Sequence, residues 1–261
     1  MTGNLIKRRL RGCPNKPPIR PAVQCLCRRV YLLGLLTPSV AAGFLLAASV
    51  VLAEGKAKLP PPEGARRLDE VKPVWVDEKK GRVLVDGRVT IRKGVLEMFA
   101  CPIGTKEHES VVAVDSPAML LHTALLAIGA EPGKPVQFDP EYQPPSGEEI
   151  DVRVEWIDEN GERQGARAQS WVRQIDTERE MGLPFVFAGS AFWTDPQTRK
   201  RHYLAESGDL ICVSNFGSAM LDVPAPSTQS NNELWFEPFT ERIPPVDTPV
   251  RMILSIAKPA E

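Results

Sequence analysis

Ile150-Asp151-Val152-Arg153-Val154-Glu155-Trp156 puts an apolar side chain at every second position and a charged one between. Successive side chains of a strand point to opposite faces, so a period of two marks a strand with one face in a core and the other toward water. Asp158-Glu159-Asn160-Gly161 comes next with turn chemistry, and Ala166 and Ala168 then alternate with Arg167 and Gln169 on a return strand. The same period recurs near the end of the chain in Val250, Met252, Leu254 and Ile256. Earlier, residues 83–85 and 88–91 flank Asp86-Gly87, a dipeptide favoured in two-residue hairpins. Pairing across that turn predicts Leu84, Val89 and Ile91 on one face.

Helix signals are few, and the best covers residues 116–129. Ser116 fits the N-cap, Pro117 the first helical position and Gly129 the stop. Between them Met119, Leu120, Leu121, Leu125, Leu126 and Ile128 are apolar almost all round, the pattern of a helix buried on most sides. Layer logic then predicts an α+β fold, a mainly antiparallel sheet with one largely buried central helix, in a loop-rich chain with 25 prolines.

The organisation ahead of this region is set by charge. Residues 1–53 carry Lys7, Arg8, Arg9, Arg11, Lys16, Arg20, Arg28 and Arg29 and no Asp or Glu, and an uncharged apolar run occupies 30–53. Basic residues before an apolar run hold the N-terminus in the cytoplasm and send the downstream chain across the membrane. The run fits either a signal peptide ending in Val51-Leu52-Ala53 or an uncleaved transmembrane helix making an N-terminal membrane contact. Arg28-Arg29-Val30-Tyr31-Leu32 also looks like a twin-arginine export signal, although paired arginines are common in ordinary leaders. The expected location is the periplasm or cell envelope. Residues 54–72, with Pro60-Pro61-Pro62, read as a proline-rich linker, and 73–261 as a single domain. Removing the leader's eight basic residues leaves 24 Lys+Arg against 33 Asp+Glu, a formal charge near −9. An acidic surface repels phosphate backbones, so no nucleic-acid partner is expected.

The densest polar cluster is Cys101-Pro102-Ile103-Gly104-Thr105-Lys106-Glu107-His108-Glu109-Ser110, between two apolar strands. A thiol, an imidazole and two carboxylates in ten residues have the donor types of a metal site or of a nucleophile with its base. Lys106 or a protonated His108 would depress the thiol pKa as thiol catalysis needs. The candidate ligand or metal residues are therefore Cys101, Lys106, Glu107, His108, Glu109 and, from the helix, His122. The same run also suits a solvated turn between strands, and a histidine on an apolar helix suits a hydrogen-bonded core residue. His202, in Arg199-Lys200-Arg201-His202-Tyr203, reads as surface. Cys101 and Cys212 are the two cysteines beyond the leader, and either form a disulfide or stay separate buried thiols. A bond closing so long a loop would stabilise the fold by roughly 4–5 kcal/mol in the chain-entropy account. The nucleophile elbow of serine hydrolases, the phosphate-binding glycine loop and the His-Glu-x-x-His helix are absent from the sequence. Trp75, Trp156, Trp171, Trp193 and Trp235 fit core positions or a glycan-binding groove.

Several of these segments, taken in order, resemble the YdjY-domain family of exported bacterial proteins. They are Gly104-Thr105-Lys106-Glu107-His108-Glu109, His122-Thr123-Ala124-Leu125-Leu126-Ala127-Ile128-Gly129, Phe187-Ala188-Gly189-Ser190, Leu210-Ile211-Cys212-Val213-Ser214-Asn215-Phe216 and Phe239-Thr240-Glu241-Arg242-Ile243-Pro244-Pro245. The resemblance covers about residues 80 to 256. It implies an envelope domain and carries no catalytic residues with it. Some relatives bear a loose ferredoxin-like label, but an iron–sulfur cluster needs about four cysteine ligands and this domain has two, 111 positions apart. The leading expectation is a non-catalytic binding or structural module with a cell-envelope partner or small ligand and no cofactor. The alternatives are a metal- or thiol-dependent enzyme using Cys101, His108 and His122, with a transition metal in the first case, and a glycan-binding β domain.

Overall fold

The computed structural model describes residues 56–226 and 235–258. Ala53–Glu261 forms one compact unit by itself. At its centre is a ten-stranded sheet. Its strands are β1 (Arg66–Arg67), β2 (Val74–Asp77), β3 (Arg82–Val89), β4 (Met98–Pro102), β5 (Ser110–Val114), β6 (Glu149–Ile157), β7 (Arg163–Arg167), β8 (Phe185–Val186), β9 (Ile211–Cys212) and β10 (Pro249–Ile256). The main path runs β8-β6-β10-β3-β5-β4-β9, with β2 beside β3, β1 beside β2 and β7 beside β6. The ladders are antiparallel except β4–β5, which is parallel. Among the described residues one α-helix, α1 (Ala118–Ala127), packs on the sheet, so the fold is α+β with mainly antiparallel pairing and a single, mostly buried short helix there.

The 150–156 strand forms as the alternation predicts, with Ile150, Val152 and Val154 buried, but its return strand is Arg163–Arg167, and Ala168 and Gln169, expected to alternate on it, lie together in a buried 3-10 turn. The last alternating run, β10, becomes the axis of the sheet, paired along its length with β3 on one side and β6 on the other. Val250, Met252 and Leu254 enter the main core, where full burial stabilises by roughly 1.5–3 kcal/mol each. Ile253 packs on the opposite face with Trp75 and Leu84. Arg251 lies between them, only 2 % exposed. Its Nε and Nη2 donate to Asp86 Oδ1 and Oδ2 at 2.6 and 2.9 Å, and its Nη1 donates to the Pro60 carbonyl at 2.7 Å. Its guanidinium carbon is 5.0 Å from the centre of the Trp75 ring. Residues 60–67, expected within the linker, thus supply a carbonyl to Arg251 and a short strand that pairs with β2.

Two local expectations are corrected. Asp86-Gly87 is not a hairpin turn but the middle of β3. Residues 82–85 pair with β2, and residues 87–89 pair on the same edge with β5. Gly87 sits at that change of partner because a Cβ there would collide with the Ala113 carbonyl. Ser116 does not cap α1; its hydroxyl donates to the Pro117 carbonyl. The cap is the Glu206 carboxylate, which accepts from Ala118 N at 3.1 Å and Met119 N at 2.9 Å. A negative group suits the positive end of the helix dipole and takes up otherwise unpaired N–H groups.

The transmembrane-helix expectation is also corrected. Among the described residues no helix is long and apolar enough to cross a membrane. Residues 30–53, on which that expectation rested, lie outside the described residues.

The partner change at Gly87 is testable by substitution. Gly87→Ala is expected to cost about 1–3 kcal/mol, the range for forcing extra volume into a packed site. It should appear as a lower urea midpoint at unchanged slope. Gly165→Ala, where a Cβ meets only ordinary van der Waals neighbours at 3.7 Å and beyond, should be neutral or mildly stabilising.

Candidate functional site

The parallel β4–β5 pair dictates the geometry of the polar cluster. Parallel neighbours normally need a crossover of about a dozen residues or more. Here residues 103–109 make the whole connection. They must travel back along β4, about 13 Å over four residue steps, with a reach of about 23 Å when extended. The loop has little slack and is held at nearly every residue. Thr105 Oγ1 donates to the Pro102 carbonyl at 2.6 Å, and Gly104 N–H donates to Glu107 Oε1 at 2.8 Å. Ser110 Oγ donates to the Lys106 carbonyl at 2.7 Å. Arg88 Nη2 meets Glu107 Oε2 at 2.9 Å, and Gly104 takes a φ of 84° that favours glycine.

Lys106 is the anchor of this loop. Its Nζ is 2.9 Å from Asp209 Oδ1 and 3.7 Å from Glu109 Oε1, and it lies 4.6 Å from the centre of the Phe216 ring. The contact with Asp209 Oδ1 is a close ion pair. The other oxygen, Oδ2, accepts from Ser207 Oγ at 3.1 Å and from Ser218 Oγ. Burial opposes the Lys106 charge, yet Asp209 and Glu109 outweigh it, and the ammonium pKa is raised. Burial and the charge of Glu109 push the neighbouring Glu97 carboxyl up. Gly208, at φ 129°, leaves room for the lysine stem, since a Cβ there would overlap Lys106 Cγ and Cδ. Deeper still, Asp222 accepts from Asn215 Nδ2 at 3.1 Å, Val223 N at 2.8 Å and Phe216 N at 3.3 Å. Burial raises its pKa well above the carboxylate range against the pull of those donors.

His122 occupies a separate place. Its Nδ1 is 2.9 Å from the Tyr203 oxygen, and the Tyr203 hydroxyl donates to the Gly189 carbonyl at 3.1 Å. A hydroxyl has one proton, so the imidazole donates from Nδ1 and keeps its lone pair on Nε2. Phe187 and Tyr203 present their rings edge-on to it at 5.0 and 5.4 Å. Burial lowers the His122 pKa, and burial likewise raises that of Tyr203. Gly189 and Ser190 follow each other with φ of 84° and 57°, and Ser190 Oγ donates to the Ser218 carbonyl at 2.6 Å.

The candidates named from sequence are therefore divided. Lys106, Glu107 and Glu109 share one loop, but His108 on the same loop is turned outward, its side chain 77 % exposed. Cys101 is buried beneath the loop near the Thr105 and Ser110 side chains. Cys212 packs with Met98 and Ala219. Both are free thiols, so the disulfide left open by the sequence is not formed. Burial raises both thiol pKa values. Among the described residues no three of His, Cys, Asp and Glu come together as a set able to hold a metal ion. The tryptophans also separate. Trp75 lies behind the sheet, Trp156 packs on buried Trp171, and Trp193 stands on a surface hairpin against His202. Asp209, Asp222, Tyr203 and Glu206 were not singled out from sequence. The signal that could have found Asp209 is its position directly before the family segment that starts at Leu210.

The structure thus defines an α+β domain in which the 104–109 and 210–216 signatures meet at a tight parallel return loop and the 122–129 and 187–190 signatures meet at α1. The YdjY domain profile matches residues 74–255, and the chain belongs to that family. No curated protein and no solved structure matches it.

The lowered His122 pKa has a sign that can be checked. Between the folded value and about 6.5 the unfolded chain binds the extra proton more tightly. Stability should therefore fall as pH drops from about 6.5 through the folded pKa, with no contribution above that range. Urea midpoints measured from about pH 7.5 to about pH 5 should show this loss. His122→Gln, which keeps a donor toward Tyr203, should flatten it.

Proposed function

We propose that this chain is an exported cell-envelope domain that works by binding and not by catalysis. The basic and then apolar residues 1–53 support export. The observation that carries the non-catalytic reading is the use made of the polar signature residues. Lys106 and Asp209 hold a return loop in place, Asn215 and Asp222 bond each other in the interior, and His122 is tied to Tyr203. Thiol chemistry needs an accessible thiolate, whereas Cys101 and Cys212 are buried with raised pKa values. A cleft of about 350 Å³ beside the loop supports a binding role. Its walls are largely apolar, with Leu59, Ile103 and Val250 among them, and Asp86, Arg88, Asp115 and Asp247 add a few charged groups, a lining that suits a small ligand or partner segment.

Thiol and metal chemistry test this reading together. In native protein at mildly alkaline pH, both cysteines beyond the leader should resist a chromogenic disulfide reagent, and both should react after addition of denaturant. Mass spectrometry of gently purified protein should find no transition metal near one per chain. A fast-reacting Cys101, or near-stoichiometric zinc, would overturn the non-catalytic reading. Fractionation tests export separately: full-length soluble protein recovered from cytosol would defeat it.

A further inference from the structure

The hairpin formed by Phe192–Thr194 and Arg201–Tyr203 pairs only with itself. Its register places Phe192 opposite Tyr203, Trp193 opposite His202 and Thr194 opposite Arg201. Neighbouring strand residues face opposite sides, so Phe192 and Trp193 expose aromatic surface on the two faces of one ribbon. They are 44 % and 51 % exposed. The Arg201 guanidinium carbon lies 3.8 Å above the Phe192 ring, and the His202 ring is 5.6 Å from Trp193. Arg199, Lys200 and Arg201 are consecutive and exposed at the tip. The acid nearby, Asp195, is committed to the turn, accepting from Gln197 N at 2.8 Å and Thr198 Oγ1 at 2.5 Å. The tip therefore offers three cations and two aromatic rings on a domain whose formal charge after the leader is near −9.

We propose that this hairpin docks the domain onto an anionic lipid surface. Charge complementarity selects the sign of the partner, because the basic tip stands against the field of the rest of the domain. The placement of the rings favours a lipid layer over an acidic protein: Phe192 packs at 5.2 Å on buried Tyr203 and keeps only part of its ring exposed, Trp193 is exposed on the other face, and a fluid headgroup layer can reach both where a flat rigid partner meets one. Aromatic rings flanked by Arg and Lys are the side chains that settle at the boundary between headgroups and hydrocarbon. Basic clusters add attraction to anionic lipid within a Debye length of the surface. This attachment is peripheral and needs no spanning helix. It goes beyond the binding role proposed above and does not depend on it, because vesicle binding by purified protein involves no export step.

The test uses residues 53–261, which form a compact unit and lack the apolar leader run. Co-sedimentation is measured with vesicles of phosphatidylglycerol and phosphatidylethanolamine, and with vesicles of phosphatidylcholine alone. Binding is expected to the first and not to the second, and to weaken with added salt. Arg199→Ser with Lys200→Ser should weaken it by about thirtyfold. Trp193→Ala should reduce it as well, with circular dichroism and thermal midpoint unchanged in both variants. Equal binding to both vesicles, no binding to either, or binding that ignores both variants would overturn the proposal. So would full competition by free inorganic phosphate or by a soluble anionic polysaccharide, which would mark a simple anion or glycan contact.

Discussion

The bidentate pair between Arg251 and Asp86 fixes the register on which the sheet depends. The two residues stand directly opposite each other on β10 and β3, and the planar guanidinium fork matches both carboxylate oxygens. A slip of one residue along β10 would carry Val250, Met252 and Leu254 out of the main core and drive a charge into it. Desolvating a guanidinium is costly, and such pairs frequently add little net stability. Here the Pro60 carbonyl and the face of Trp75 share the task of replacing water around the cation. The pair selects one alignment among the several that an apolar strand would tolerate, and β10 then orders β3 and β6 on its two sides.

The second constraint is the short parallel connection from β4 to β5. Its composition, rich in Lys, Glu, His, Thr and Ser beside a cysteine, resembles that of an active site because a taut loop and an active site need the same thing. Both require polar groups held in defined directions at the edge of a core. In this protein the directions point inward, to Asp209, to the Pro102 carbonyl and to Arg88. The outward-facing member, His108, is the one least engaged.

Much of the β architecture was legible because period-two alternation is a local property, and Ile150 to Trp156 states it without ambiguity. The central position of β10 was not legible. Alternation predicts one wet face, and nothing near Arg251 in sequence announces that residues 60–65 will cover the other. Asp86-Gly87 misleads because the same dipeptide serves a turn and a partner change within a strand; the decision belongs to Ala113, 26 positions later. The helix was legible and its cap was not, since Glu206 arrives from 88 residues away. The surroundings of the candidate site were hidden in the same way. The loop's charges were visible, while Asp209, which gives Lys106 its role, lies 103 positions downstream.

The segment after the surface hairpin has a mechanical consequence. Tyr203 ends the hairpin and bonds His122 in the second turn of α1, and Glu206, three residues on, grips the first-turn amides of the same helix. The hairpin is therefore bolted to α1 at two points one turn apart, with Tyr203 also tied to the Gly189 carbonyl. A pull on the ribbon is delivered to the helix and through its buried face to the sheet. The projecting tip behaves as a stiff lever and not as a swinging arm, and any partner that grasps it takes hold of the whole domain.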